Sequence, residues 1–172
     1  MWSSEAKPNI ESMCVSRRSV LVGLTAFSLS ACGFEPVLAP GGSLAGLGNR
    51  IEFSKPDSRD GFTLRNELEA RIGSGSDYLL TTNISSTQED VGITADQVIT
   101  RQQIRGRVDF TLVDRRSGAT IIQDSVDGFT SYGTTDTTAA TAFARRAAYD
   151  RLMVIFADKI IARLALIPAL PV

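Results

Sequence analysis

The chain has 172 residues, 43% hydrophobic and 22% charged, with a formal net charge of −1. That is the length of one domain with an ordinary globular balance, which excludes a disordered chain, a multi-span membrane protein and a strongly basic nucleic-acid binder. There is no histidine, and the only cysteines are Cys14 and Cys32, so the commonest general base is missing and no structural zinc site can be built.

The first thirty residues read as an address rather than as fold. Arg17 and Arg18 form a short basic region, Val20 to Leu29 is an apolar run of ten, and Ser30 and Ala31 are small. This is the layout of a secretory signal, and it is too short for a membrane span. Gly23, Thr25 and Ser28 sit badly in a buried helix. Leu29-Ser30-Ala31-Cys32 resembles a bacterial lipobox. The resemblance implies cleavage before Cys32 and acyl chains, palmitate among them, on its thiol and new amine. Each buried methylene contributes about 0.8 kcal/mol, and more than one chain is needed for stable anchoring. The product is therefore expected to sit on a membrane without spanning it. Gly33, in place of an aspartate after the cysteine, is compatible with outer-membrane sorting. Ser16 to Leu21 also resembles a twin-arginine export signal, so the general secretory and twin-arginine routes both stay open. Residues 1–31 hold three basic and two acidic residues, which leaves a net charge of −2 and one cysteine in the remainder. With no second cysteine to pair, stability must come from the core alone.

Residues 33–49 contain five glycines and two prolines. They read as a flexible tether that follows the lipidated Cys32. The expected organisation is a signal at 1–31, an anchor and tether at 32–49, one domain at 50–167 and a tail at 168–172. A chain starting near Asn49 is expected to fold alone. Arg50 to Ser54 alternates as a short strand, stopped by Lys55-Pro56. A helix follows, capped by Asp60 or Thr63, with Leu64, Leu68 and Ile72 on one stripe and Gly73 as its stop. Tyr78, Leu80, Thr82 and Ile84 alternate as the next strand, and the polar stretch Gln88 to Ala95 reads as a link. Thr100 to Val113 is the clearest element. Ile104, Val108, Phe110 and Leu112 face one way; Arg101, Gln103, Arg105, Arg107, Asp109 and Thr111 face the other. Asp114 to Gly118 makes a hairpin turn, and Ala119 to Tyr132 returns as a strand in which Gly128 marks a bulge. A long helix closes the chain from Ala139 to Leu166, capped by Asp136, Thr137 or Thr138, with Tyr149, Leu152, Phe156, Ile160 and Leu164 on its apolar side. The order β-α-β-β-β-α predicts an α/β (α+β) two-layer sandwich: two helices on one face of a four-stranded, mostly antiparallel sheet.

The open sheet face carries the one constellation with chemical promise. Residues two apart on a strand lie about 7 Å apart on one face, so Arg105 and Arg107 can both reach one phosphorylated group, and Arg101 extends the row. The competing reading is a solvated face kept soluble by charge, with Asp109 offsetting part of it. Thr134 to Thr141 is a threonine-rich helix entry that either presents backbone N–H groups to an anion or, the commoner case, is only a capping region, and the Gly-rich 41–48 stretch lacks the lysine of a phosphate loop. Serines have no histidine to activate them. No catalytic residue, metal site or cofactor is expected.

Several segments together resemble the lipopolysaccharide-assembly lipoprotein family, LptE. They are Cys32-Gly33-Phe34-Glu35-Pro36, the helix-one segment Arg59 to Leu68, the arginine-rich strand running into Asp109 to Asp114, and the Ala157 to Leu164 helix end. The resemblance covers about residues 29–166. It implies a non-enzymatic lipoprotein on the periplasmic face of the outer membrane. Such a protein plugs an LptD-type β-barrel and binds lipopolysaccharide during its insertion into the outer leaflet, with no nucleic-acid partner. The family's basic glycolipid contacts lie near the strand-two/strand-three loop and the start of the last helix. Here those loops read Thr94-Ala95-Asp96-Gln97 and Gly133-Thr134-Thr135-Asp136, without Lys or Arg. The nearest basic cluster is the row Arg101, Arg105 and Arg107. The alternative is a generic outer-membrane lipoprotein that assists another barrel or binds an envelope polymer.

Overall fold

The computed structural model describes residue 44 and residues 46–93, 99–134 and 137–167. The expected signal, Cys32, most of the tether, the loop Thr94 to Gln97, Thr135, Asp136 and the tail 168–172 lie outside the described residues. The elements are β1 (Ile51–Phe53), α1 (Arg59–Ile72), β2 (Tyr78–Ile93), β3 (Ile99–Asp114), β4 (Thr120–Gly133) and α2 (Thr138–Leu164). They build one sheet in the order β1-β2-β3-β4. β1 runs parallel to β2, and the two remaining pairs are antiparallel. This is the α+β arrangement that the pattern of elements predicts, with a mixed sheet.

Both helices lie on the sheet face made by Ile104, Val108, Phe110 and Leu112, each at most 1% exposed. From α1 come Leu64, Leu68 and Ile72; from α2 come Leu152, Phe156, Ile160 and Leu164, all buried. Tyr149 is only half-buried, while Ala148, Met153 and Ala157 join the buried side of α2. The helices run in the same direction. Asp60 near the start of α1 meets Arg146 at 3.4 Å, and Arg71 near its end pairs with Asp158.

Four local expectations change. The N-cap of α1 is Ser58, whose hydroxyl accepts from the Gly61 N–H at 3.1 Å; Asp60 sits inside the first turn, where the helix dipole favours a carboxylate, and Thr63 bonds back to the Arg59 carbonyl. The polar stretch read as a link is instead strand, because Thr87 to Asp90 pair in register with Gln102 to Arg105. Gly128 is not a bulge. It pairs regularly with Gly106, and the β3–β4 register shift lies at the other end of β4, between Leu112 and Val113. A Cβ at Gly106 would stand 2.8 Å from Phe156 Cζ, and one at Gly128 3.1 Å from Phe156 Cε1. The two glycines form a bare patch on which Phe156 lies. Finally, the folded body begins before residue 50. Leu44 and Leu47, expected in the tether, are 1% and 2% exposed. The turn that holds them is fixed by the Asn49 N–H donating to the Ile72 carbonyl at 3.0 Å. It fits because Gly73, at φ 82°, leaves room for the Asn49 side chain: a Cβ there would lie 1.9 Å from Asn49 Oδ1. Arg50 closes this turn. Its Nε donates to Asp77 at 2.7 Å, its Nη1 to the Gly46 carbonyl at 3.1 Å, and its guanidinium lies 5.1 Å from the centre of the Tyr78 ring. The Asp77 bond holds the Arg50 guanidinium above its usual range.

Candidate functional site: the open face of the sheet

The face away from the helices is mostly polar, with Phe129 and Ile99 as its exposed apolar side chains. The two-residue repeat sends Thr81, Asn83, Ser85, Thr87 and Glu89 of β2 to this side, alongside Arg101 to Thr111 of β3 and Gln123 to Ser131 of β4. Arg101, Arg105 and Arg107 are all exposed and share this face, as expected. The ladder sets their neighbours: Gly92 and Gly133 flank Arg101, Thr87 and Phe129 flank Arg105, and Ser85 and Asp127 flank Arg107.

Two of the three arginines meet carboxylates. Arg105 Nε lies 3.0 Å from Glu89 Oε2 and donates to Gln103 Oε1 at 3.1 Å. Arg107 Nε donates to Asp109 at 3.0 Å, its Nη2 donates to Ser125 Oγ at 2.7 Å, and its Nη1 lies 3.6 Å from Asp127. The bond to Asp109, then the charges of Asp109 and Asp127, hold the Arg107 guanidinium above its usual range. Three guanidiniums and three carboxylates therefore share the face, and its local charge balances. The pairs are exposed, so each is worth little in stability. An incoming phosphate would exchange with these carboxylates rather than with bulk water alone. Shallow depressions run along the row; one, of about 240 Å³, lies between Ser85, Thr87, Arg105, Arg107 and Asp127.

A second polar site is only partly visible in the sequence, through the threonine-rich helix entry. At the far end of the sheet, on the helix side, Gln102 Nε2 donates to Asp90 at 2.7 Å, and the Tyr132 hydroxyl donates to Gln102. Gln88 Nε2 donates to the Tyr149 hydroxyl at 3.3 Å. Burial pushes the Tyr132 phenol up, while the nearby Arg145 acts in the opposite sense. Arg145, Tyr132, Thr134, Thr138 and Thr141 line a cleft of about 360 Å³. Arg145 makes no ion pair among the described residues. The site draws on β2, β3, β4 and α2; the threonine run marks one side of it, and no stretch of sequence joins that run to Tyr132, Gln102 and Asp90. The threonine run nearby serves as a cap: Thr137 Oγ1 accepts from the Ala140 N–H at 3.3 Å. Among the described residues no cluster of three or more metal-ligating side chains occurs, and no helix is long and apolar enough to cross a membrane.

The model of the lipopolysaccharide-assembly family LptE matches residues 49–164, from the turn behind Leu47 to the end of α2. The chain belongs to the LptE family. No curated protein matches the sequence. Among solved structures, a lipoprotein from Caulobacter crescentus CB15 is similar at 28% identity and a TM-score of 0.59, over 72% of this chain and 92% of that one. The fold also resembles rare lipoprotein B from Shewanella oneidensis (13% identity, TM-score 0.52, 67% and 92% covered). A minor lipoprotein from Acinetobacter baumannii shares it too (15% identity, TM-score 0.55, 68% and 90% covered). Membership of LptE gives the chain a general role in lipopolysaccharide assembly as a lipoprotein of the cell envelope.

Proposed function

We propose that this chain is an outer-membrane lipoprotein, acylated at Cys32, that occupies the lumen of an LptD-type β-barrel. There it binds lipopolysaccharide while the glycolipid is inserted into the outer leaflet. Family membership supports the reading. The single observation that carries it is the open sheet face: broad, mostly polar, exposed and furnished with three guanidiniums on one strand. Interiors of wide membrane barrels are polar, so such a face can lie against the wall or against the glycolipid's phosphates with its polar groups paired rather than stripped of partners. Arg101, Arg105 and Arg107 would take the phosphates, with Glu89, Asp109 and Asp127 as the partners they exchange. The protein supplies recognition and support; no bond is made or broken.

A second reading of the glycolipid contact places it at Arg145 in the cleft beside Tyr132. What favours it is that Arg145 has no carboxylate to give up among the described residues, whereas Arg105 and Arg107 do. The two readings separate in a glycolipid-binding assay of Arg145→Gln beside the double change Arg105→Gln/Arg107→Gln.

The partner is tested by mild crosslinking in intact cells, extraction of membranes and identification of what co-purifies. An LptD-type barrel supports the proposal. A different barrel, recovered reproducibly, would replace it with a general barrel-assisting lipoprotein. Mass spectrometry of the extracted chain should find Cys32 at the N-terminus and acylated; a mature start elsewhere would remove the anchor.

A further inference from the structure

We propose that Arg151, Ile155 and Lys159 of α2 close the outer edge of β4, and that the edge they close is a strand-pairing surface that fits β4 of a second copy of this chain. β4 is the last strand of the sheet. Lys159 Nζ donates to the Asp127 carbonyl, and Arg151 Nη2 donates to the Ser131 carbonyl at 3.4 Å. Both acceptors are odd-numbered positions of β4. In an antiparallel ladder a residue's N–H and C=O point the same way, so Asp127, Phe129 and Ser131 turn their backbone groups away from β3. Even positions take the inward set, as the Thr134 N–H donating to the Thr100 carbonyl shows.

The spacing fits. Arg151 and Lys159 are eight residues apart on a helix, about 12 Å. Asp127 and Ser131 are four apart on a strand, about 13 Å. Helix and strand run in opposite directions, so the two cations clamp the two ends of one edge segment. Between them Ile155 packs over Gly128: its Cγ2 would lie 3.4 Å from a Cβ placed there. The segment so covered needs covering. Its ladder groups face outward, its Phe129 side chain is 65% exposed, and the run Val126 to Tyr132 is rich in β-branched and aromatic residues. Exposed edges of that kind pair with other chains, and lysine at the edge is a common way to prevent it. Two copies of β4 pairing antiparallel about Phe129 would satisfy Asp127 and Ser131 of each chain in place of the cations.

The test uses the full chain in detergent, with self-association followed by analytical ultracentrifugation over a concentration series. Arg151→Met/Lys159→Met keeps both aliphatic stems and removes both donors. The wild type is expected to stay monomeric, and the double variant to self-associate about tenfold more tightly or better. Adding Phe129→Pro removes one outward N–H without touching the β3 ladder, and it should return the double variant to monomer. Lys159→Met alone, the milder change, should fall between wild type and the double variant. Folded variants that remain as monomeric as the wild type would overturn the proposal. So would self-association that survives Phe129→Pro.

Discussion

The two faces of the sheet are made from alternate residues of the same strands, and they are held in opposite ways. On β3, Ile104, Val108, Phe110 and Leu112 are sealed under two helices, while Arg105, Arg107 and Asp109 between them are exposed. The covered face is fixed by packing. Phe156 reaches the bare glycine pair only because neither residue has a Cβ. The open face is set by ladder register, and its exposed ion pairs contribute little to stability. Stability and recognition are thus assigned to opposite sides of one strand. A change on one side should leave the other nearly unaffected.

The covered face breaks most visibly at its centre. Phe156→Ala should cost about 3–5 kcal/mol, the range for truncating a large aromatic in a core, read as a drop in the denaturant midpoint. Leu44→Ala should cost about 2–5 kcal/mol although it precedes the family-matched region, because it is buried with the rest of the core; a chain truncated to begin at Asn49 should lose more. A loss within about 0.5 kcal/mol, the size of a surface substitution, would return Leu44 to the tether. Gly106→Ala tests the close approach from the strand side. A Cβ 2.8 Å from a fully buried ring cannot be relieved by rotating that ring into solvent. The change should cost about 1–3 kcal/mol as overpacking, and Gly106→Ala in a Phe156→Leu background should cost less.

The same contrast explains what the sequence could reveal. A strand with one sealed and one open face writes its alternation plainly, so Ile104 to Leu112 and the opposing arginines were legible. The stripe Leu64, Leu68, Ile72 was legible for the same reason. β2 beyond Ser86 was not: Thr87, Gln88, Glu89 and Asp90 hold their strand through the ladder to β3 rather than by burial, and polarity alone reads as a loop. Leu44 and Leu47 were hidden by the glycines around them, since two leucines three apart do not establish a period. Gly128 signalled a backbone peculiarity, but only the partner strand and Phe156 tell close approach from bulge. At the site, one strand showed the arginine row and Asp109. The opposing charges of Glu89 and Asp127 enter through register with β2 and β4, which a single strand cannot supply. The Arg145 cleft gathers side chains from β3, β4 and α2, and of these only the threonine run left a local trace.

The most direct test of this division is glycolipid binding by Arg105→Gln/Arg107→Gln, measured with purified lipopolysaccharide at low and moderate salt, next to thermal unfolding of the same protein. A charge-assisted bond to a desolvated phosphate is worth about 1.5–3 kcal/mol. Binding should therefore weaken about tenfold or more, and most at low salt, where screening is least. Stability should stay within about 0.5 kcal/mol of wild type, because the lost pairs are exposed. Unchanged binding with an intact fold would contradict the account and leave the arginine row as a solvated face.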